Sequence, residues 1–200
     1  MLVGCQTEHT SSIGAPSAPP PTSPDTFRVA FETTRGNFVV EVARAQSPMG
    51  ADRFHEMVLK GYFSEVRFFR VVPGFIAQFG MHGDPSVNRV WQRSTLRDEP
   101  VVGTNARGTL VYAKTDAPNS RSNQFFINFG DNAMLDAMGF SPFGRVVEGM
   151  EVVAGINAQY GEAPDQGQIE SEGNAYLARE FPKLDYIKAA KIVAAPAAPR

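Results

Sequence analysis

Phe68-Phe69-Arg70-Val71-Val72-Pro73-Gly74-Phe75-Ile76-Ala77-Gln78 decides how this chain is read. One arginine and one glutamine stand among large apolar side chains, with a Pro-Gly pair between them. Proline followed by glycine favours a type II turn, because proline presets the first central residue and glycine tolerates positive φ at the second. The stretch therefore predicts two short strands, within residues 66–79, folded back on each other. Apolar surface carrying a few placed polar groups is how small-molecule and peptide sites are built. Asn123-Gln124-Phe125-Phe126-Ile127-Asn128-Phe129 repeats the theme, setting a polar amide beside a block of aromatics.

The rest of the chain has the punctuation of a β-rich fold. Eighteen glycines and fifteen prolines in 200 residues imply many turns. Phe27, Val29 and Phe31 alternate with polar neighbours. After the turn signal Thr33-Thr34-Arg35-Gly36-Asn37, Phe38, Val40 and Val42 alternate again, so a hairpin is expected. Ser47-Pro48 opens a helix whose apolar positions include Phe54, Met57 and Val58, with Gly61 as its stop. Residues 80–105 read as loop. Thr109 to Ala113, Gln124 to Phe129 and Phe143 to Val147 read as strands, and 149–156 as a short second helix. Residues 159–176 read as an irregular excursion, Tyr186 to Val193 as a last strand, and 194–200 as a frayed end. Many short strands, two helices and no β-α-β alternation favour a closed or nearly closed antiparallel barrel.

Composition excludes several classes of function. Of 21 acidic residues only Glu8 and Asp25 lie in residues 1–26, so the remainder balances its 19 basic residues with as many acidic ones. A neutral body without a basic stripe argues against nucleic acid as a partner. There is no Walker loop, G-x-S-x-G or G-x-G-x-x-G. His55 sits on the first helix without a second ligand at i+3 or i+4, and neither it nor His82 has cysteine company, so no metal or other cofactor is expected. The single cysteine, Cys5, lies in Leu2-Val3-Gly4-Cys5, which resembles a bacterial lipobox preceded here only by Met1. Ser- and Pro-rich residues follow it. Residues 1–26 are thus expected to be a disordered tether and 27–193 the folded domain. Given a leader upstream, Cys5 would carry a lipid at the cell envelope or periplasm; otherwise the protein is expected in the cytoplasm.

For Arg70 taken alone the default is a strand residue paired with a carboxylate. Gln124 alone is an edge-strand amide, and Phe125-Phe126 plain core. Their joint occurrence points further. Residues 68–78 resemble the F-H-R-V-I-P-G-F-M-x-Q signature of cyclophilins, 123–127 are similar to their S-Q-F-F-I, and 143–150 to their F-G-x-V-x-E-G-M. The blocks occur in order, and the resemblance covers roughly residues 27–160. The resemblance implies a mainly β fold, a closed eight-stranded antiparallel barrel capped by two α-helices. It also implies peptidyl-prolyl cis–trans isomerase activity on proline-containing polypeptides, without a cofactor and as a monomer.

By the same resemblance Arg70 would donate toward the prolyl nitrogen, and Gln78 would orient Arg70 or the substrate backbone. Phe75, Ile76, Phe126 and Leu135 would floor the proline ring. Ala113-Lys114-Thr115 would contact the residue before proline, with Gln124 at the rim. Met134 stands where better-studied members have tryptophan, which implies weak cyclosporin binding. Phe69 stands at a common histidine position, as does Phe140. The Gln78–Asp84 segment is longer than the usual Q-G-G-D. Lys114 puts a positive charge at the rim, which favours acidic or neutral peptides. A peptide-binding or chaperone module with little turnover is the alternative, and a lipid-anchored spacer a third. The retained arginine, glutamine and phenylalanine favour catalysis.

Overall fold

The computed structural model describes residues 13–194. Cys5 and residues 195–200 lie outside the described residues. Alternation builds the first hairpin. β1 (Thr26–Thr33) pairs antiparallel with β2 (Asn37–Ala43), setting Phe27 opposite Val42, Val29 opposite Val40 and Phe31 opposite Phe38. All six are buried. The other face carries Arg28 and Glu41, which pair across the strands at 2.8 Å.

The remaining strands are β3 (Arg70–Val72), β4 (Ile76–Phe79), β5 (Thr109–Tyr112), β6 (Phe125–Asn128), β7 (Pro142–Glu148) and β8 (Ile187–Val193). They form one antiparallel sheet in the order β3-β4-β6-β5-β7-β2-β1-β8. The eight antiparallel strands are as expected; the closed barrel is not. The edge strands β3 and β8 share no ladder, so the sheet is open and curled. Its edges meet at one bridge, Arg67 to Tyr186, with backbone hydrogen bonds from Glu65 to Ile187, Ile187 to Val66 and Phe68 to Asp185. The reason is local: β3 is three residues long and a run of turns at 60–65 precedes it.

Phenylalanine fills the space the sheet encloses. Phe54 projects from α1 (Pro48–Leu59) to within 5.3–6.3 Å of the Phe31, Phe63, Phe125 and Phe143 rings. Rings at these spacings each gain a little beyond their area burial. His55, on the same helix, packs edge-on against Phe27 at 4.8 Å.

Two helices were expected, and the described residues form six. Besides α1 they are α2 (Pro85–Gln92), α3 (Met134–Ala137), α4 (Met150–Ala154), α5 (Gln166–Glu172) and α6 (Asn174–Glu180). α2 lies in the stretch read as loop. Asp84 caps it by accepting the Ser86 N–H at 2.8 Å, and Pro85 opens its first turn. Val87 and Trp91, four positions apart, pack on the main core, a stripe of only two positions in an eight-residue helix. α5 lies within the stretch read as an irregular excursion, 159–176, and α6 begins at its end. They carry Ile169, Tyr176 and Leu177 into a second apolar cluster with Phe69, Met81 and Leu184.

Residues 13–25 also depart from expectation. They run as irregular but docked chain along α1 instead of as free tether. Ile13 packs on the main core. The Ser17 N–H donates to Glu56 at 2.7 Å, and Arg53 donates to the Ser17 carbonyl at 2.9 Å. Ser23 donates through both its N–H and its hydroxyl to Asp52, which also takes two hydrogen bonds from Arg44. Asp52, Arg53 and Glu56 of α1 thus each gain a partner in the strap, while Arg53 Nε and Glu56 Oε2 make no hydrogen bond.

These contacts carry a pH dependence. Burial pushes the Asp52 carboxyl up, but hydrogen bonds from Arg44 and Ser23 outweigh it and hold the group below its ordinary value. Glu56 behaves alike, with burial opposed by Ser17 and Lys60. Folding lowers both, so their stabilisation is complete above the ordinary carboxylate range and is lost as pH falls through the folded-state values. Thermal unfolding should therefore show Tm falling from about pH 5 to about pH 3, and Asp52→Asn should flatten part of that fall. A Tm with the same pH profile in both proteins would exclude the role given to Asp52.

Candidate active site

The β3–β4 hairpin is built around its turn. Gly74 has φ of 75° and the Phe75 N–H donates to Val72 at 3.0 Å, the arrangement of a type II turn with Pro73 and Gly74 at its centre. That turn sets the register Arg70–Gln78, Val71–Ala77 and Val72–Ile76. Val71 and Ala77 enter the main core, while Arg70 and Gln78 share the opposite face. Gly80 then lets β4 pass close to the chain entering β6. A Cβ there would stand 2.2 Å from the Asn123 carbonyl oxygen, and φ is 116°.

Arg70 and Gln78 are joined at 3.1 Å, Nη1 to Oε1. Guanidinium cannot accept, so the Gln78 oxygen must face it and its amide nitrogen must face away. That nitrogen donates to Gln124 at 2.8 Å, and Gln124 donates in turn to Gln166 at 3.2 Å. One directional row of amides therefore crosses the face from β3 to the start of α5.

Beside this row lies a cleft of about 130 Å³ lined by Arg70, Phe75, Ile76, Gln78, Ala113, Lys114, Phe126, Leu135 and Phe140. Ile76, Phe126 and Leu135 are buried together with Val111, and Phe75, Ala113 and Phe140 pack on them. Phe140 meets Phe126 edge-on at 5.7 Å, and the Lys114 ammonium lies 5.2 Å above the Phe140 ring. The Arg70 guanidinium lies 5.9 Å from the Phe75 ring, a cation–π distance. Asp136 secures the wall by accepting from Thr104 and from both nitrogens of Asn105, whose side chain also donates to the Phe140 carbonyl. Burial raises the Asp136 carboxyl, but these hydrogen bonds prevail and hold it below its ordinary value.

Most residues singled out in the sequence thus line one cleft. Thr115 and Gln124 line an adjoining, wider and more polar one of about 380 Å³, which shares Gln78, Ala113 and Lys114 with the first. The Ala113 N–H donates to Gln124 and the Thr115 N–H to Ser120, leaving the Lys114 N–H between them without such a partner among the described residues. Met134 stands apart from the lining. It is the first residue of α3 and 62% exposed, whereas Leu135, one position on, turns into the cleft. Phe69 is not a wall either: it lies just before β3, outside its alternation, and is buried in the second cluster.

Two residues absent from the sequence reading meet the row. The Glu162 carboxylate takes a hydrogen bond from Arg70 Nε at 2.7 Å and lies 2.5 Å from Nη2. Gln166 accepts from Gln124. Both belong to the excursion, where no local pattern marks a residue that reaches the site only through tertiary packing.

Residues 28–173 match the family model described as cyclophilin type peptidyl-prolyl cis-trans isomerase/CLD. The chain belongs to the cyclophilin family of peptidyl-prolyl cis–trans isomerases. It is 33% identical over 167 residues to peptidyl-prolyl cis-trans isomerase B of Escherichia coli, covering 80% of this chain and 94% of that one. It is 34% identical over 130 residues to a peptidyl-prolyl cis-trans isomerase of Acinetobacter baylyi, covering 62% and 69%. A crystal structure of a Cryptosporidium parvum cyclophilin shares the fold, with a TM-score of 0.63 at 23% identity over 86% of this chain and 99% of that one. The same protein in the presence of the dipeptide Ala-Pro gives 0.62 at 22% identity, over 84% and 99%. The cyclophilin fold and isomerase class implied by the three sequence blocks are therefore correct.

The environment of Phe69 yields a test of what this cyclophilin uses the position for. Phe69→His would bury an imidazole among Met81, Ile169, Tyr176, Leu177 and Leu184, and is expected to cost about 2 kcal/mol. Chemical denaturation measures this directly; an unchanged midpoint would contradict the packing role.

Proposed function

We propose that this cyclophilin accelerates Xaa-Pro rotation without covalent chemistry, with Arg70 as the catalytic residue. The barrier arises from the partial double-bond character of the amide C–N bond and is about 18–20 kcal/mol. Uncatalysed Xaa-Pro exchange takes about tens to hundreds of seconds. What is needed is a site that binds the twisted amide better than either planar form.

The observation that carries the reading is the held guanidinium at the lip of an apolar cleft: Arg70 bonded to Gln78 and lying over Phe75. As the amide twists, the nitrogen lone pair leaves conjugation and becomes an acceptor. A permanently charged, fixed donor stabilises that lone pair and opposes its return to the carbonyl. Gln78 orients Arg70 through its carbonyl oxygen. Phe75, Ile76, Phe126 and Leu135 hold the proline ring, so that one side of the bond is fixed while the other turns. The Lys114 N–H, without a partner among the described residues, donates to the carbonyl of the residue before proline. Gln124, with Thr115, meets the preceding residues in the wider cleft, and the Lys114 charge favours acidic or neutral peptides.

Exchange NMR on a short peptide containing Ala-Pro tests the assignment. The protein should broaden and merge the cis and trans signals, and Arg70→Ala should lower the exchange rate by about a hundredfold. Arg70 is half-buried on the face of β3 away from the main core, so the variant should remain folded. Equal exchange in the two folded proteins would remove Arg70 from the mechanism.

A further inference from the structure

The pairing of Arg70 with a carboxylate was the default for a strand arginine, and it coexists with a place in the cleft. Glu162 takes one whole edge of the guanidinium, Nε and Nη2, while Gln78 takes Nη1. The Nη hydrogens not engaged in these contacts are what remains for a ligand.

The carboxylate is not there by the chance reach of a surface side chain. The Gly161 carbonyl, one residue before it, accepts the Val71 N–H at 3.1 Å, so the excursion is hydrogen-bonded to the free edge of β3 next to Arg70. Turns from Ala158 to Gly161 and from Tyr160 to Ala163 shape the segment. Beyond it, fully buried Ile169 fastens α5 into the cluster that contains Phe69, the residue preceding Arg70. Backbone and core contacts thus bracket Glu162 and hold it against one side chain.

We propose that Glu162 is a positioning residue for Arg70. It fixes the plane of the guanidinium so that the unused Nη hydrogens face the cleft. This inference rests on the catalytic role proposed for Arg70. Without Glu162 the arginine keeps one hydrogen bond, to Gln78, and the Phe75 ring. A long, flexible side chain held at one point samples more orientations, and the fraction aligned with the twisted amide falls. Because the Glu162 side chain is 61% exposed, the effect is modest.

Glu162→Ala should lower kcat by about threefold to fivefold, the scale of an exposed ion pair, with KM for an Ala-Pro peptide unchanged. Glu162→Gln keeps an acceptor oxygen and should recover more than half of the loss. In an Arg70→Ala background, Glu162→Ala should have no further effect. Circular dichroism melting should match the parent for each Glu162 variant. Four results would overturn the inference. One is Glu162→Ala equal to or faster than the parent while Arg70→Ala is slow, which would make Glu162 a bystander or a restraint. Another is loss of activity in Glu162→Gln equal to that in Glu162→Ala. A third is a rise in KM carrying the whole effect. The fourth is an active Arg70→Ala, which would remove the catalytic assignment itself and is distinguishable by that variant alone.

Discussion

The site depends on the register of one hairpin. Side chains alternate across a sheet, so a slip of a single residue in β3 against β4 would send Arg70 into a packed phenylalanine core and bring Val71 to the cleft. The turn at Pro73-Gly74 forbids that slip locally. The core forbids it globally, because Val71 and Ala77 already fill its surface and a charged group there would lose its water without a partner. Every polar contact in the row from Arg70 through Gln78 and Gln124 follows from this single alignment.

Around that hairpin the molecule is built in two apolar bodies. The larger lies inside the curled sheet and is plugged by α1. The smaller gathers Phe69, just before β3, with Met81, Leu184 and the helices α5 and α6. Phe68 and Phe69 are adjacent in sequence and divide between them, Phe68 into the first and Phe69 into the second. The short strand is consequently gripped from both sides. A phenylalanine at position 69 is an anchoring residue, and its effect on Arg70 is exerted through the segment it holds down, including Glu162 and Gln166.

How much of this was legible depended on the range of the physics involved. Alternation in β1 and β2 and the Pro-Gly turn are patterns of neighbours, and the sequence displays them; that Phe75 and Phe126 share one cleft was implied only by the resemblance. The helices after Asp84 and Asp165 begin with side-chain caps that are visible in retrospect, but at eight and seven residues they are too short for an apolar spacing such as Val87, Val90 and Trp91 to stand out. Glu162 was not legible: its meaning comes from the Gly161 carbonyl meeting Val71, some ninety positions away. Met134 shows the opposite limit. A position carried over by likeness says nothing about which way the side chain of a four-residue helix points.

The docked strap bears on where this domain begins. Its proline-rich composition suggests dispensable linker, and a boundary drawn by composition would start the domain at Phe27. Such a boundary would strip Arg53 of its Ser17 acceptor although that side chain is only 2% exposed, and it would uncover the face of the core on which Ile13 lies. Proline-rich chain is already restricted when unfolded, so docking it costs less backbone entropy than ordering a flexible segment of equal length. The folded unit therefore reaches back at least to Ile13, and low complexity marks here a stiff brace and not an absence of structure.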